Sequence, residues 1–86
     1  MKLNPFAAMS ELFDGTGLVF NPDSNGAVTL NRTGVYLWKL LDGGATEAEM
    51  VSGLVGTYSG LSEEQAASDV KMFLEELRKR SLLSEE

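Results

Sequence analysis

The chain has 86 residues, 43% of them hydrophobic, which is enough for one small domain with a single core. It has no cysteine and no histidine, and this excludes disulfides, thiolate or imidazole metal sites, cysteine nucleophiles and any triad or general base that uses imidazole. Thirteen acidic side chains against seven basic ones give a net charge of −6, which disfavours nonspecific binding to nucleic acid.

Residues 1–15 show no sustained hydrophobic period, so we expect an N-terminal arm or a first strand there, with the strand at residues 11–13. No basic start followed by an apolar segment occurs in this part of the chain. No run anywhere approaches the roughly 20 apolar residues of a membrane span. We therefore expect a soluble, cytoplasmic protein that does not contact a membrane.

A β-hairpin is predicted over residues 16–31. Residues 18–20 form a compact run with high strand propensity, residues 23–26 (DSNG) are the strongest turn signal in the chain, and residues 27–30 form the returning strand. A sheet this short must leave at least one edge strand unpaired, and such an edge can bind another chain.

Alternation along the returning strand predicts which side chains face the core. Val28 and Leu30 fall on one face, and Ala27 and Thr29 fall on the other. One face of the hairpin can therefore pack against helices while the other meets solvent.

Three helices are predicted over residues 32–83. Asn31 is a suitable N-cap for the first, and Trp38 is its expected core anchor. The sequences TEAE at 46–49 and SEEQ at 62–65 are two capping boxes, which fix the starts of the second and third helices. In the second helix, Gly53 and Gly56 lower the helix propensity, and we expect them to allow close packing against a neighbour.

Three helices with a small N-terminal antiparallel sheet of two or three strands predict an α+β fold of the winged helix-turn-helix type, in a single domain over residues 1–86. In that fold the third helix usually enters the DNA major groove with its N-terminal residues against the bases. Here those residues include Glu63 and Glu64, whose carboxylates would repel phosphates. A DNA-binding regulator is therefore the alternative hypothesis, and we expect no nucleic acid partner.

An ordered series of segments resembles the PqqD family over roughly residues 16–83. The series consists of LNRTG at 30–34, WKLLDG at 38–43, TEAEMVSGLVGTY at 46–58, and the pairs Asp69-Val70, Phe73-Leu74 and Leu82-Leu83. One departure is Ser81, which stands where the family commonly has glycine, and this bears on how the last helix ends. The first strand does not align clearly with the family.

The resemblance implies a non-catalytic chaperone or adaptor with no cofactor and no metal. Similar domains bind the leader segment of a ribosomally made precursor peptide as an added strand, beside the hairpin strand and the last helix. They present it to a modifying enzyme, such as a radical SAM enzyme. Strand addition takes affinity from main-chain hydrogen bonds and specificity from pockets for alternate side chains, so it needs none of the residue types that are absent here.

The family position of the hairpin predicts which residues form the peptide site. The returning strand supplies the edge with Ala27, Val28, Thr29 and Leu30. On the last helix, Val70 is central to the apolar stripe of residues 66–83, with Lys71 and Arg78 on one flank and Asp69, Glu76 and Arg80 on the other. We predict Lys71, Leu74 and Arg78 as the groove wall, since leaders often carry acidic residues among apolar anchors.

Alternatives remain open for these residues and for the whole chain. Leu74 also fits a core position, and Lys71 and Arg78 also fit a solvated helix face. An exposed edge strand can pair with a second copy, which would make the protein a homodimer or a structural subunit. A carboxylate enzyme would require two acids that converge in a cleft, and no pair in the sequence demands this.

Overall fold

The sheet comes first and the helices follow in the computed structural model, which describes residues 2–22 and 26–84. The elements are β1 (Lys2–Leu3), β2 (Ala8–Glu11), β3 (Gly17–Asn21), β4 (Gly26–Leu30), α1 (Arg32–Asp42), α2 (Glu47–Thr57), α3 (Glu63–Lys79) and β5 (Leu83–Ser84). This arrangement confirms the predicted α+β class, with a small antiparallel sheet ahead of three helices.

Strands β2, β3 and β4 form one antiparallel sheet in that order, so β2 and β4 are its edges. Val19 at the centre pairs with Met9 on β2 and with Val28 on β4, and all three side chains face the helices. On β4, Leu30 is buried and Val28 half-buried, while Ala27 and Thr29 are exposed. The predicted alternation is confirmed; the predicted turn at 23–26 falls mainly on residues 23–25, which lie outside the described residues.

Strand β2, the first strand of this three-stranded sheet, lies earlier than predicted, at Ala8–Glu11 instead of residues 11–13. A turn ends it: the Leu12 amide donates to the Thr16 carbonyl at 2.7 Å, and Phe13 projects fully into solvent. The Asp14 carboxylate holds this turn by accepting from the Thr16 hydroxyl at 2.6 Å and the Thr16 amide at 3.0 Å, and these bonds hold the pKa of Asp14 below its usual value.

Residues near the N-terminus are also held in place. Lys2 and Leu3 pair with Ser84 and Leu83 as a separate two-stranded ladder. The Asn4 amide donates to the Leu82 carbonyl at 2.8 Å. The predicted N-terminal arm is thus an ordered segment whose residues 2–4 pair with residues 82–84.

The helix starts follow the predicted caps with one exception. Asn31 accepts from the Gly34 amide, and the box of Thr46 and Glu49 is complete, with the Thr46 amide bond holding the pKa of Glu49 below its usual value. The Ser62 side chain accepts from the Gln65 backbone amide at 3.1 Å, but the Gln65 side chain donates from Nε2 to Asp69 at 2.9 Å and does not accept from the Ser62 backbone amide. The second capping box is therefore half formed.

One core joins the sheet to the three helices, and Trp38 is 5% exposed within it, as predicted. The buried residues of helix α3 are Ala66, Val70, Leu74 and Leu77, which form one stripe along the helix. The buried apolar residues are Val19, Leu30, Val35, Leu37, Trp38, Leu41, Met50, Leu54, Ala66, Val70, Leu74, Leu77, Leu82 and Leu83.

Helix α3 ends in a tight left-handed stop made by Ser81, whose φ is 60°. The Leu82 amide donates to the Leu77 carbonyl and the Ser81 amide to the Arg78 carbonyl, which is the Schellman pattern. Serine thus adopts the conformation that glycine takes without steric conflict, and the chain turns so that Leu82 enters the core.

The two glycines of α2 differ in their surroundings. A Cβ added at Gly53 would lie 2.8 Å from the Tyr36 hydroxyl and 3.1 Å from Leu40 Cδ1, whereas one at Gly56 would meet nothing within 4 Å. Tyr36 is itself held, since its hydroxyl accepts from Thr57 Oγ1 at 3.0 Å. Only Gly53 has the packing role expected of both.

This difference predicts opposite effects of alanine at the two positions. Gly53→Ala should lower the free energy of unfolding by about 1–3 kcal/mol, because the α1–α2 contact is already close. Gly56→Ala should raise it by up to about 1 kcal/mol through helix propensity alone. Urea unfolding of both variants measures this, and equal effects would contradict the close contact at Gly53.

The conformation of Ser81 predicts a stabilising substitution. Ser81→Gly should raise the free energy of unfolding by about 0.5–1 kcal/mol, because a left-handed residue with a Cβ is strained and glycine's greater chain entropy offsets only part of the relief. Ser59→Gly is the matched control, since Ser59 is exposed and its φ is not positive. Thermal unfolding that showed no gain, or the same gain in both variants, would refute the assignment.

Candidate functional site

Strand β4 is an edge of the sheet, and α3 runs beside it in the opposite direction. Between them lies the β4–α3 groove, which we define by β4 on one side and residues 69–81 on the other. The start of β4 lies opposite the end of α3, and the end of β4 lies opposite the middle of α3. Alternate residues of an edge strand direct N–H and C=O groups outward, so β4 offers a backbone ladder along this groove.

The larger part of the groove has a volume of about 370 Å³ and lies at the end of β4. Its α3 wall presents Met72, which is 60% exposed, and the half-buried Phe73. Around this apolar centre the lining residues are Thr29, Leu30, Asn31, Thr33, Gly34, Leu37, Asp69 and Glu76. An extended peptide beside β4 would place alternate side chains on this apolar wall.

A second part of about 250 Å³ lies at the start of β4. Lys79, Arg80 and Ser81 form its helix side, and residues 26–28 form its strand side. Asn21, which is 2% exposed, lies beneath it and donates from Nδ2 to the Arg80 carbonyl at 2.8 Å. This bond ties the end of α3 to the central strand and sets the separation of the two walls.

The structure places the predicted residues in different surroundings. The residues 27–30 lie on the edge strand, where we expected them. Leu74 is 1% exposed and belongs to the core, and it does not line the groove. Lys71 is exposed but lines neither part of the groove, and Arg78 lines a different depression, with residues 2–6.

The groove faces the opposite flank of α3 from the one we predicted. The apolar stripe fixes which residues are buried, but it leaves the two flanks equivalent until the position of the hairpin is known. The flank of Asp69, Glu76 and Arg80 faces β4. Met72 and Phe73 lie on the same side of α3 and also line the groove. On α3, Met72 was the sequence signal for the correct flank, because it is a large apolar residue outside the core stripe.

A family model described as "Coenzyme PQQ synthesis protein D (PqqD)" matches residues 17–83 of this chain. The chain belongs to the PqqD family. This confirms the resemblance, and members of this family that recognise precursor peptides are generally non-catalytic partner proteins. Comparison with curated proteins gives no match.

Two solved structures share the fold of this PqqD-family chain. TbiB1 in complex with the TbiA(beta) leader peptide is 22% identical, with a TM-score of 0.91 over 100% of this chain and 98% of that chain. A lasso peptide synthetase B1 complexed with the leader peptide is 19% identical, with a TM-score of 0.80 over 92% of this chain and 91% of that chain. At these identities the likeness establishes the fold.

Other chemistry is sparse on this PqqD-family domain. Across residues 2–22 and 26–84, no group of three or more acidic side chains is arranged to hold a metal ion. Among the same residues, no helix is long and apolar enough to cross a membrane. The groove therefore offers backbone hydrogen bonds, an apolar wall and a few charges.

Removing the hydrogen bond from Asn21 to the Arg80 carbonyl should destabilise the end of α3. Asn21→Ala should lower the free energy of unfolding by about 1–3 kcal/mol, because it leaves the Arg80 carbonyl without this donor in a partly buried site. The exposed N-cap variant Asn31→Ala should cost about 1 kcal/mol and serves as the control. In hydrogen exchange, only Asn21→Ala should deprotect residues 79–82, and unchanged protection there would contradict the tether.

Proposed function

We propose that this PqqD-family chain is a non-catalytic adaptor that binds the leader segment of a ribosomally made precursor peptide in the β4–α3 groove and presents it to a modifying enzyme. The observation that carries this proposal is an edge strand facing the exposed Met72 and the half-buried Phe73 across an open groove. Edge backbone gives affinity to any extended peptide, and the wall gives selectivity for alternate side chains.

The comparisons support this proposal. Both solved neighbours are complexes with leader peptides, and each covers nearly all of this chain with the same fold. Our proposal keeps residues 27–30 as the strand partner of the peptide. It replaces the predicted wall of Lys71, Leu74 and Arg78 with Met72 and Phe73, because these residues line the groove.

The partner enzyme and the compartment are part of the same proposal. A radical SAM enzyme is one enzyme of the required kind, and the cytoplasm is where ribosomal precursors are made. An adaptor of this kind needs no cofactor, because the bond-making chemistry belongs to its partner. The acidic first turn of α3, with Glu63 and Glu64 exposed, opposes the alternative of DNA reading by this helix.

The same edge strand could join two copies of the chain. Pairing of β4 with β4 would use the backbone groups that the proposal assigns to the leader. A homodimer formed in this way would therefore compete with peptide binding, and the two states can be told apart by their dependence on protein concentration.

The proposal predicts where a leader peptide contacts the protein. Titration of the labelled protein with a synthetic leader from the precursor encoded beside its gene should shift amide signals in residues 27–30 and 69–76. Met72→Asp should weaken binding tenfold or more, about 1.4 kcal/mol, because it places a charge in the apolar wall.

Lys71→Asp is the matched control, because it introduces the same side chain one residue away on the flank outside the groove. It should leave affinity within about threefold, in keeping with a charge outside the binding site. Amide shifts confined to α2 or to the β1–β5 ladder would refute the groove. Loss of signal with rising protein concentration but without peptide would indicate self-pairing instead.

A further inference from the structure

Charge is distributed unevenly along the β4–α3 groove. Asp69 lines the part beside the end of β4, and Lys79 lines the part beside its start. Glu76 lies between them on α3 and forms an ion pair with Arg80, the residue after Lys79, with 2.7 Å between Oε1 and Nε, so these two charges largely offset each other. Among the described residues neither Asp69 nor Lys79 has an ion-pair partner, and the groove is negative at one end and positive at the other.

The apolar wall separates the two charged ends. Met72 and Phe73 follow Asp69 by about one helical turn and precede Lys79 by about two. Asp69 accepts a hydrogen bond from Gln65 Nε2 at 2.9 Å, which holds the carboxylate on the groove flank of α3. The order along the helix is therefore the acid Asp69, the apolar centre, Glu76 with its charge offset by Arg80, and the cation Lys79.

The separation of the charges corresponds to a short stretch of extended chain. Ten residues of α-helix from Asp69 to Lys79 span about 15 Å, at about 1.5 Å per residue. A strand rises about 3.3 Å per residue, so about four or five peptide residues cover the same length. Since alternate residues of a strand share a face, the side chains directed at α3 are the first, third and fifth of such a stretch.

The direction of the peptide follows from the sheet. All strand pairs of this sheet are antiparallel, and antiparallel pairing is slightly more stable per residue. A peptide antiparallel to β4 begins beside Leu30, near Asp69, and ends beside Gly26, near Lys79. Its N-terminal side chain meets the acid, and its C-terminal side chain meets the cation.

We infer that the groove selects leader segments with a basic, an apolar and an acidic residue at alternate positions, in that order from N to C terminus. This inference rests on the proposed function and adds the chemistry of the ligand to it. The apolar residue anchors on Met72 and Phe73, and the two charges set register and direction. Opposite charges across an interface fix register in this way even where each exposed pair adds little affinity.

Three short blocked peptides test the inference: Ser-Lys-Thr-Leu-Thr-Glu-Ser, its charge-reversed form Ser-Glu-Thr-Leu-Thr-Lys-Ser, and the neutral Ser-Gln-Thr-Leu-Thr-Gln-Ser. The first two have the same composition and net charge, so they differ only in charge order. Affinity is measured from amide shifts in residues 27–30 at low salt. The basic-first peptide should bind about tenfold more tightly than the acid-first one, with the neutral peptide between them.

A paired substitution should reverse this preference. In the double variant Asp69→Lys, Lys79→Asp the net charge is kept, and the acid-first peptide should become the tighter ligand. The control Lys71→Asp alters a charge on the other flank of α3 and should leave the preference as it was. Raising the salt concentration should shrink the difference between the two charged peptides, as expected for exposed charges.

The outcomes separate this inference from the proposed function. If the neutral and charged peptides all shift β4 with equal affinity, the groove binds peptide and the charge order is refuted. If the acid-first peptide binds more tightly to the parent protein, the direction is refuted. If no peptide shifts residues 27–30 while other residues respond, the proposed function fails and this inference fails with it. These comparisons use the unmodified protein, so they do not depend on the folding of any variant.

Discussion

The rotation of α3 about its own axis is the constraint on which the site depends. Ala66, Val70, Leu74 and Leu77 bury one stripe of the helix, and no other rotation would bury the same four side chains. Because the hairpin packs on the Asp69 flank of this fixed stripe, Met72 and Phe73 lie beside β4 and Lys71 lies on the other flank. The Asn21 bond to the Arg80 carbonyl then fixes how far the helix end stands from the sheet. The position of the groove walls thus follows from core packing and from this one hydrogen bond.

Local signals predicted most of the fold, because caps, turns and alternation act over a few residues. Asn31 and Thr46 begin helices as expected, and the hairpin strand buries the face that its alternation indicates. The failures arose where two local options compete. Gln65 bonds Asp69 rather than completing a capping box, and the first strand ends at a turn held by Asp14. Ser81 shows the converse, since an unfavourable residue still takes the left-handed stop when Leu82 must reach the core.

The site could be predicted on its strand side but not on its helix side. The choice of residues 27–30 as the edge came from the family resemblance, because the sequence alone does not show which strand of the sheet is free, and the structure places β4 at an edge. The choice between the two flanks of α3 depends on how the hairpin packs over the helices. The spacing of residues within α3 does not indicate where the hairpin packs. On α3, Met72 is a large apolar residue outside the core stripe, and its exposure was the sequence feature that could have indicated the proposed wall.

The two-stranded ladder of β1 and β5 gives the start of the chain an influence on the groove. Leu3 pairs with Leu83, and Asn4 bonds the Leu82 carbonyl, so residues far apart in sequence meet just beyond the end of α3. Closing so long a loop costs chain entropy that these few hydrogen bonds offset only in part, so we expect the ladder to open more readily than the three-stranded sheet. When it opens, the segment carrying Arg80 and Ser81 loses its outer support. Sequence changes at residues 2–4 are therefore expected to alter how firmly residues 80 and 81 are held, although none of residues 2–4 lines the β4–α3 groove.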